Sequence, residues 1–499
     1  MTFTVAPVAK SPDRQPAPTV ILTVVAALGL ALLSTSVFGK TIALAAVGVM
    51  LYRWPVHRIL LAYALLTLAA DERSNRPYNE LWHSPVQHAA DFWFETVKSS
   101  VTFLPVRASP MWLVALGLLV RTAARRTAPN CRRDRKQRTI GRGFGSAVTV
   151  AVGVVVVGAL FGIATGGDVQ QSYYQMFGLL VALSLAASTA AIGSPHFGVR
   201  LCNVVLAVAL YRAALAAWVY LLVLRPDQRS SNLYVTSHGD SVLWSVALTI
   251  LFARLMSAPT RRRLLQSLLA ALPMVAAMVF NNRRLAWVMV AVSLGCTIWS
   301  ARGSVRRRLL KLAPYAVPPI SFYMLAAILG PPKRIFSPVQ SLFSVAQSSD
   351  NSSLTRDIEN FNLIYTLKSN LPIGSGFGHQ YVELIRAYDI TEGVGSTFVN
   401  YRYLPHNSVL GLLQWIGPIG FALALLPFVI GVHEAMQFHR ERIESHDQTL
   451  APAIVAAWVA YVLQSWGDQG LFSGPPVVLV GMFTGLGVAL MADQVPKSP

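Results

Sequence analysis

The chain has 499 residues, of which 54% are hydrophobic and only 13% charged, with a formal net charge of +20. Soluble domains carry about 25% charged residues, so a soluble enzyme is excluded. The mean hydropathy of +0.49 also excludes extended disorder, which needs low hydrophobicity. Cys131, Cys202 and Cys296 are too few and too scattered for a disulfide framework or a Cys-rich metal site. The composition predicts an all-α polytopic membrane protein whose positive charge sits in its loops.

Residues 1–18, with Lys10, Arg14 and several prolines, read as a cytoplasmic N-terminal lead. Apolar runs long enough to cross a bilayer follow near 19–38, 143–165, 174–192, 201–223, 264–280, 285–301, 312–329, 406–432 and 474–492. Shorter runs lie at 41–52, 58–70, 110–123, 241–256 and 451–466, giving about 12–14 spans in all. The two runs that flank Arg53–Arg58 read either as two spans or as one broken hairpin. The first large block of helices is therefore expected over 19–240, and a second over 241–329.

Orientation follows from the Lys/Arg bias of the loops. The stretch 121–142 holds nine basic residues and one acid, which places it in the cytoplasm. Stepping through the helices puts Arg261–Arg263 and the cluster Arg302, Arg306, Arg307, Arg308 and Lys311 on the same side, with the tail 493–499. The opposite side receives 71–109, 224–240, the turn Asn281–Arg284, the long segment 330–405 and 467–473. The cytoplasmic clusters are explained by topology and by contact with anionic membrane lipids. No aromatic or motif context for nucleic acid accompanies them. No internal repeat of the transporter kind is evident, and no GxxxxGK[ST] run encodes an ATP-driven step.

The 330–405 segment is too long for a passive connector. Leu354, Ile358, Phe361, Ile364 and Tyr365 recur with helical spacing, which predicts a helix over 350–370. That helix should stop before Leu371-Pro372. A glycine-rich turn, Gly374-Ser375-Gly376-Phe377-Gly378, follows. His406-Asn407 opens the next span directly after Pro405, which places His406 in its first turn at the water interface. Arg283 and Arg284 cap a helical hairpin on the same side; Arg225 ends the 201–223 span and Arg212 lies inside it. An arginine within the bilayer costs on the order of 3 kcal/mol, so Arg212 must face a partner or a water-filled cavity. Guanidinium groups hold phosphate oxygens bidentately, and a neutral imidazole beside them can take a proton from a hydroxyl. Such a set suits the handling of a diphosphate.

His406-Asn407, followed by Gly417 and Gly420, resembles the signature of the bacterial O-antigen ligase and Wzy-type polymerase superfamily. Arg356, a helix, and Pro372-Ile373-Gly374-Ser375-Gly376-Phe377-Gly378 resemble that family's approach to its histidine. Asn282-Arg283-Arg284-Leu285-Ala286-Trp287 is similar to its arginine turn, although Asn282 stands where serine is usual. The resemblance covers roughly 240–480; the first 140 residues match no known pattern. It implies a GT-C-like membrane glycosyltransferase, with 241–329 and the C-terminal helices 406–492 forming the core. It implies an undecaprenyl-diphosphate-linked glycan donor and a sugar hydroxyl acceptor, on lipid A core or on a growing polysaccharide. It also implies an inner-membrane location, a site facing the periplasm, and no cofactor or metal. The catalytic set would be His406 with Arg283 or Arg284. Arg225 or Arg212, Arg356, Asn407, Gly376 and Gly378 would bind substrate. A transporter or flippase of lipid-linked glycans is the second reading, with Arg212 on the transport path.

Overall fold

The computed structural model describes residues 37–70, 87–94, 109–126, 135–224, 235–301, 303–330, 336, 339–340, 351–386, 401–441 and 449–493. The expected 1–18 lead, nearly all of the 19–38 span, Arg225 and residues 494–499 of the tail lie outside the described residues. So does the centre of the basic 121–142 stretch.

All regular structure among the described residues is helical. In chain order the helices are α1 (Val37–Arg53), α2 (Val56–Ala69), α3 (Gln87–Phe94), α4 (Pro110–Arg126), α5 (Arg135–Ala164), α6 (Val169–Ile192) and α7 (Pro195–Trp218). A π-helical turn, Val219–Val223, extends α7. Then come α8 (His238–Ser257), α9 (Arg261–Asn281), α10 (Arg284–Ser300), α11 (Gly303–Leu329) and α12 (Asn351–Ser369). The series closes with α13 (Ser408–Glu441), α14 (Leu450–Gly467) and α15 (Gly474–Asp493). Every apolar run from 41–52 onward has become one of these helices, and α12 falls where helical spacing predicts it.

Local chemistry sets the starts. Asp168 accepts from the Gln171 N–H at 2.7 Å, and Ser194 accepts from Phe197 N–H at 3.2 Å ahead of Pro195. Thr260 caps Arg263 N–H at 3.2 Å. Ser237 and Asp240 form a reciprocal capping box on α8. Each satisfies backbone donors that a helix start leaves without partners. Pro55 holds an extended backbone between α1 and α2, so this pair is two helices meeting at a break.

Among the described residues, eight helices, α5–α9 and α13–α15, are long and apolar enough to cross a membrane. The chain is thus a multi-pass α-helical membrane protein. The apolar runs predict 12–14 crossings; of the rest, α2, α4 and α10 are apolar but only 10–17 residues long, and the 19–38 run lies mostly outside the described residues. α15 is the centre of the bundle: Val478, Met482, Phe483, Leu486 and Leu490 are wholly buried. It lies tightly on α6 because Gly481 and Gly485, four apart, present no side chain there. A Cβ at either would sit 2.6 and 2.2 Å from the Ala182 and Ala186 carbonyl oxygens. The periphery is inverted relative to a soluble protein. Leu264, Leu265, Leu268, Leu269 and Leu272 of α9 are exposed, as are Val156, Val157, Leu160 and Phe161 of α5. In lipid, such faces need no further cover.

Candidate functional site

Residues 235–240, the 281–284 turn, α12 with residues 370–386, residues 401–407, the start of α13 and the end of α14 meet at one end of the bundle. Loop charge groups these on one side.

Asn282 closes α9 in the left-handed conformation (φ 49°, ψ 38°), which asparagine tolerates. The chain thereby turns so that Arg283 points inward and is buried, whereas Arg284, at the first position of α10, is exposed. The Arg283 guanidinium lies against the His238 imidazole and donates to the Thr236 carbonyl at 3.3 Å. Asn281 fixes the same loop, accepting from the Val235 and Thr236 N–H groups at 3.2 and 2.9 Å. His238 also pairs with Asp468, Nδ1 to Oδ2 at 2.5 Å. Asp468 follows the last residue of α14.

His406 is not in the first turn of α13, as its position after Pro405 predicts, but two residues before Ser408. Asn407 takes the capping role: its Oδ1 accepts from Leu410 N–H at 3.1 Å, and its Nδ2 donates to Asn360 Oδ1 at 3.1 Å. His406 is thus held by a carboxylate instead of a helix. Its backbone N–H donates to Glu359 Oε1 and its Nδ1 meets Glu359 Oε2, both at 3.1 Å. Glu359 sits on the buried face of α12. A carboxylate on Nδ1 makes that nitrogen the N–H donor and leaves the lone pair on Nε2.

Burial alone would depress the His406 pKa. The Glu359 hydrogen bond and charge, with Asp468, outweigh it and raise the pKa above the ordinary value, while Arg356 pulls the other way. Burial would raise the Asp468 carboxyl, but His238, His406 and Arg356 together hold it well below the usual carboxylate range. Arg356 is exposed and contributes to both groups through its charge. The site therefore strings together Glu359, His406, Asp468, His238 and Arg283, with His406 between the two carboxylates and the His238–Arg283 pair beyond Asp468.

Arg212 lies deeper, almost fully buried. It grips Asp240 bidentately, Nε to Oδ1 and Nη2 to Oδ2, each at 2.6 Å. Asp240 Oδ2 also accepts from Ser237 N–H at 3.2 Å. The pair anchors the first turn of α8, which carries His238.

Gly376 and Gly378, expected to bind substrate, form a plug between helices. The Gly376 N–H donates to the Trp415 carbonyl at 2.9 Å, and the Phe377 N–H to the Gly158 carbonyl of α5 at 3.1 Å. Gly378 N–H donates to Gln175 Oε1 at 2.5 Å. Gly376 has φ +83°, and a Cβ there would sit 2.4 Å from the Gly162 Cα. Gly417 has φ +66° and breaks the φ/ψ of α13 where the plug enters; a Cβ would sit 2.1 Å from the Pro372 carbonyl oxygen. Irregular backbone is tolerated at membrane depth when its polar groups are paired in this way.

His238, Asp240, Glu359 and Asp468 escape sequence reasoning. For His238, Asp240 and Asp468 the available signal is position, an acid or imidazole at the end of an apolar helix on the site side; Glu359, in the middle of α12, carries none. Among the described residues, no three His, Cys, Asp or Glu side chains converge as a metal ion would require.

No protein-family model and no curated protein matches the chain.

Proposed function

We propose that the chain is a GT-C-like membrane glycosyltransferase of the O-antigen ligase or polymerase type, acting at the periplasmic face of a bacterial inner membrane. It would transfer an undecaprenyl-diphosphate-linked glycan to a sugar hydroxyl. The observation that carries this reading is the Glu359–His406 pair, because an imidazole oriented through Nδ1 by a carboxylate is equipped as a general base.

In this mechanism His406 Nε2 removes the proton of the acceptor hydroxyl. The acceptor oxygen attacks the anomeric carbon, the carbon–oxygen bond to the diphosphate breaks, and undecaprenyl diphosphate leaves with the electron pair. Arg283, with Arg356 beside the site, stabilises the charge that develops on the leaving group. Asp468 and His238 hold Arg283 and tune His406. Asn407 sets the start of α13, and Arg212 supports α8 from below. The engagement of Arg212 with Asp240 also removes the main support for a transporter or flippase, which needs that cation on a transport path.

The test is transfer by purified protein in proteoliposomes containing lipid-linked donor, with lipid A core or a second donor molecule as acceptor. His406→Ala should give no product while eluting as the unaltered protein does. Full transfer by that variant would overturn the proposal.

A further inference from the structure

The buried face of α12 is polar apart from Leu363. The residues it turns towards the protein include Glu359, Asn362 and Thr366, all almost fully buried. Asn362 Oδ1 accepts from Leu384 and Ile385 N–H at 3.0 Å each, and Thr366 Oγ1 accepts from Val382 N–H at 2.8 Å. The opposite face exposes Leu354, Phe361, Ile364 and Tyr365. At about 100° per residue, Leu354, Phe361 and Tyr365 fall on one narrow stripe; Lys368 and Asp357 flank it, with Ile364 beyond them. A helix facing bulk water would not be expected to expose four large apolar residues while burying three polar ones.

The chain after α12 shows what the stripe meets. Leu371 and Ile373 are 54% and 65% exposed, yet the next residues enter the bundle. Phe377 N–H bonds to Gly158, six residues inside the end of α5, which is about 9 Å at 1.5 Å per residue. Ile373 lies against Gly417, nine residues into α13, or about 13 Å from its start. At that level the exposed neighbours are Leu160 and Phe161 of α5 and Ile419 of α13, at 63%, 39% and 64%. Ile373 therefore continues the lipid-facing belt, and α12 ends four residues earlier.

We propose that α12 lies in the membrane–water boundary at the site end of the bundle, with Leu354, Phe361, Ile364 and Tyr365 in lipid and the Leu371–Ile373 turn dipping below them. The bilayer is the occupant because the stripe leads, through Lys368 whose ammonium reaches headgroup level, into the Leu371–Ile373 turn and a face that lipid already covers. Glu359 then holds His406 from a helix that floats at headgroup level, so the site opens where a lipid-linked headgroup resides. The placement stands without the glycosyltransferase reading.

The experiment places a nitroxide at Phe361, Tyr365 or Ile373, with Arg356 as the aqueous reference, after replacing Cys131, Cys202 and Cys296 by serine. Each labelled protein is reconstituted in phosphatidylethanolamine–phosphatidylglycerol vesicles. Collision with oxygen is compared with collision with a water-soluble nickel chelate. Positions 361 and 365 should shift towards oxygen relative to 356, and 373 should shift furthest. Nickel contact at 361 and 365 equal to that at 356 would put the helix in water and overturn the proposal. Protection from both reagents would overturn it too, assigning the stripe to a protein surface. A label that blocks folding at one position leaves the other two to decide.

Discussion

Asp240→Asn isolates a single charge in the bundle. The partners are 1% and 3% exposed, so solvent does not screen their interaction. Two 2.6 Å contacts in fork geometry bind Arg212 to this carboxylate. Asparagine keeps an oxygen for the Ser237 N–H, so the helix cap, worth about 1 kcal/mol, is largely retained. What is lost is the compensation of a buried guanidinium, which costs about 3–5 kcal/mol. Arg212→Met should cost a similar amount by stranding the carboxylate. The double variant R212M/D240N is neutral at both positions and should lose only about 1–3 kcal/mol, the penalty of an imperfectly satisfied amide. The assay is reversible unfolding of the purified protein in mixed micelles as the fraction of SDS is raised, read as a double-mutant cycle. Single losses below about 1 kcal/mol, as for an exposed pair, would refute the reasoning. So would single losses that simply add in the double variant.

The raised His406 pKa means that the base form is depleted as pH falls through it, so transfer should show an acid limb set by that residue. Glu359→Gln removes the charge that raises it. The limb should move to lower pH, and the plateau should fall by about 10²–10⁴-fold because the tautomer is no longer fixed. An unmoved limb with a full plateau would deny Glu359 its role. Arg283→Lys should lower transfer about tenfold or more through loss of the guanidinium fork, whereas Arg284→Lys should remain near the parent; equal losses would contradict the burial difference. Gly162→Ala would set a Cβ 1.9 Å from the Phe377 carbonyl oxygen, and Gly153→Ala meets nothing within 4 Å. The first should lose about 1–3 kcal/mol in the same SDS titration, and the second almost nothing; indistinguishable midpoints would count against the plug.

The helices were legible because long apolar runs leave the backbone one way to satisfy itself in lipid. α12 was legible by its 3.6-residue rhythm, but not its orientation, since rhythm does not say which face meets lipid. At the site, His406 and the Arg283–Arg284 turn stood out as charge or imidazole at an apolar boundary. The choice between the two arginines depends on the left-handed Asn282, which spacing does not reveal. Glu359, His238 and Asp468 could not be joined to them, because each lies on a different helix or helix end and partnership across the bundle leaves no periodic trace. The alternate glycines of 374–378 announce unusual backbone but not its use. Spacing fits a cradle for substrate, while the contacts show amides already engaged with Trp415, Gly158 and Gln175.

The plug also orders assembly in time. The α5 groove around Gly158 and Gly162 is synthesised roughly two hundred residues before Phe377, the residue that fills it. At about 5–20 residues per second, that is an interval of about 10–40 s. Through it α5 stands in the bilayer with a notch that only lipid can occupy. Closing the bundle then requires lipid to leave the notch as Gly376 and Phe377 enter, so the last step in maturing this end of the protein is an exchange of solvent: acyl chain for peptide.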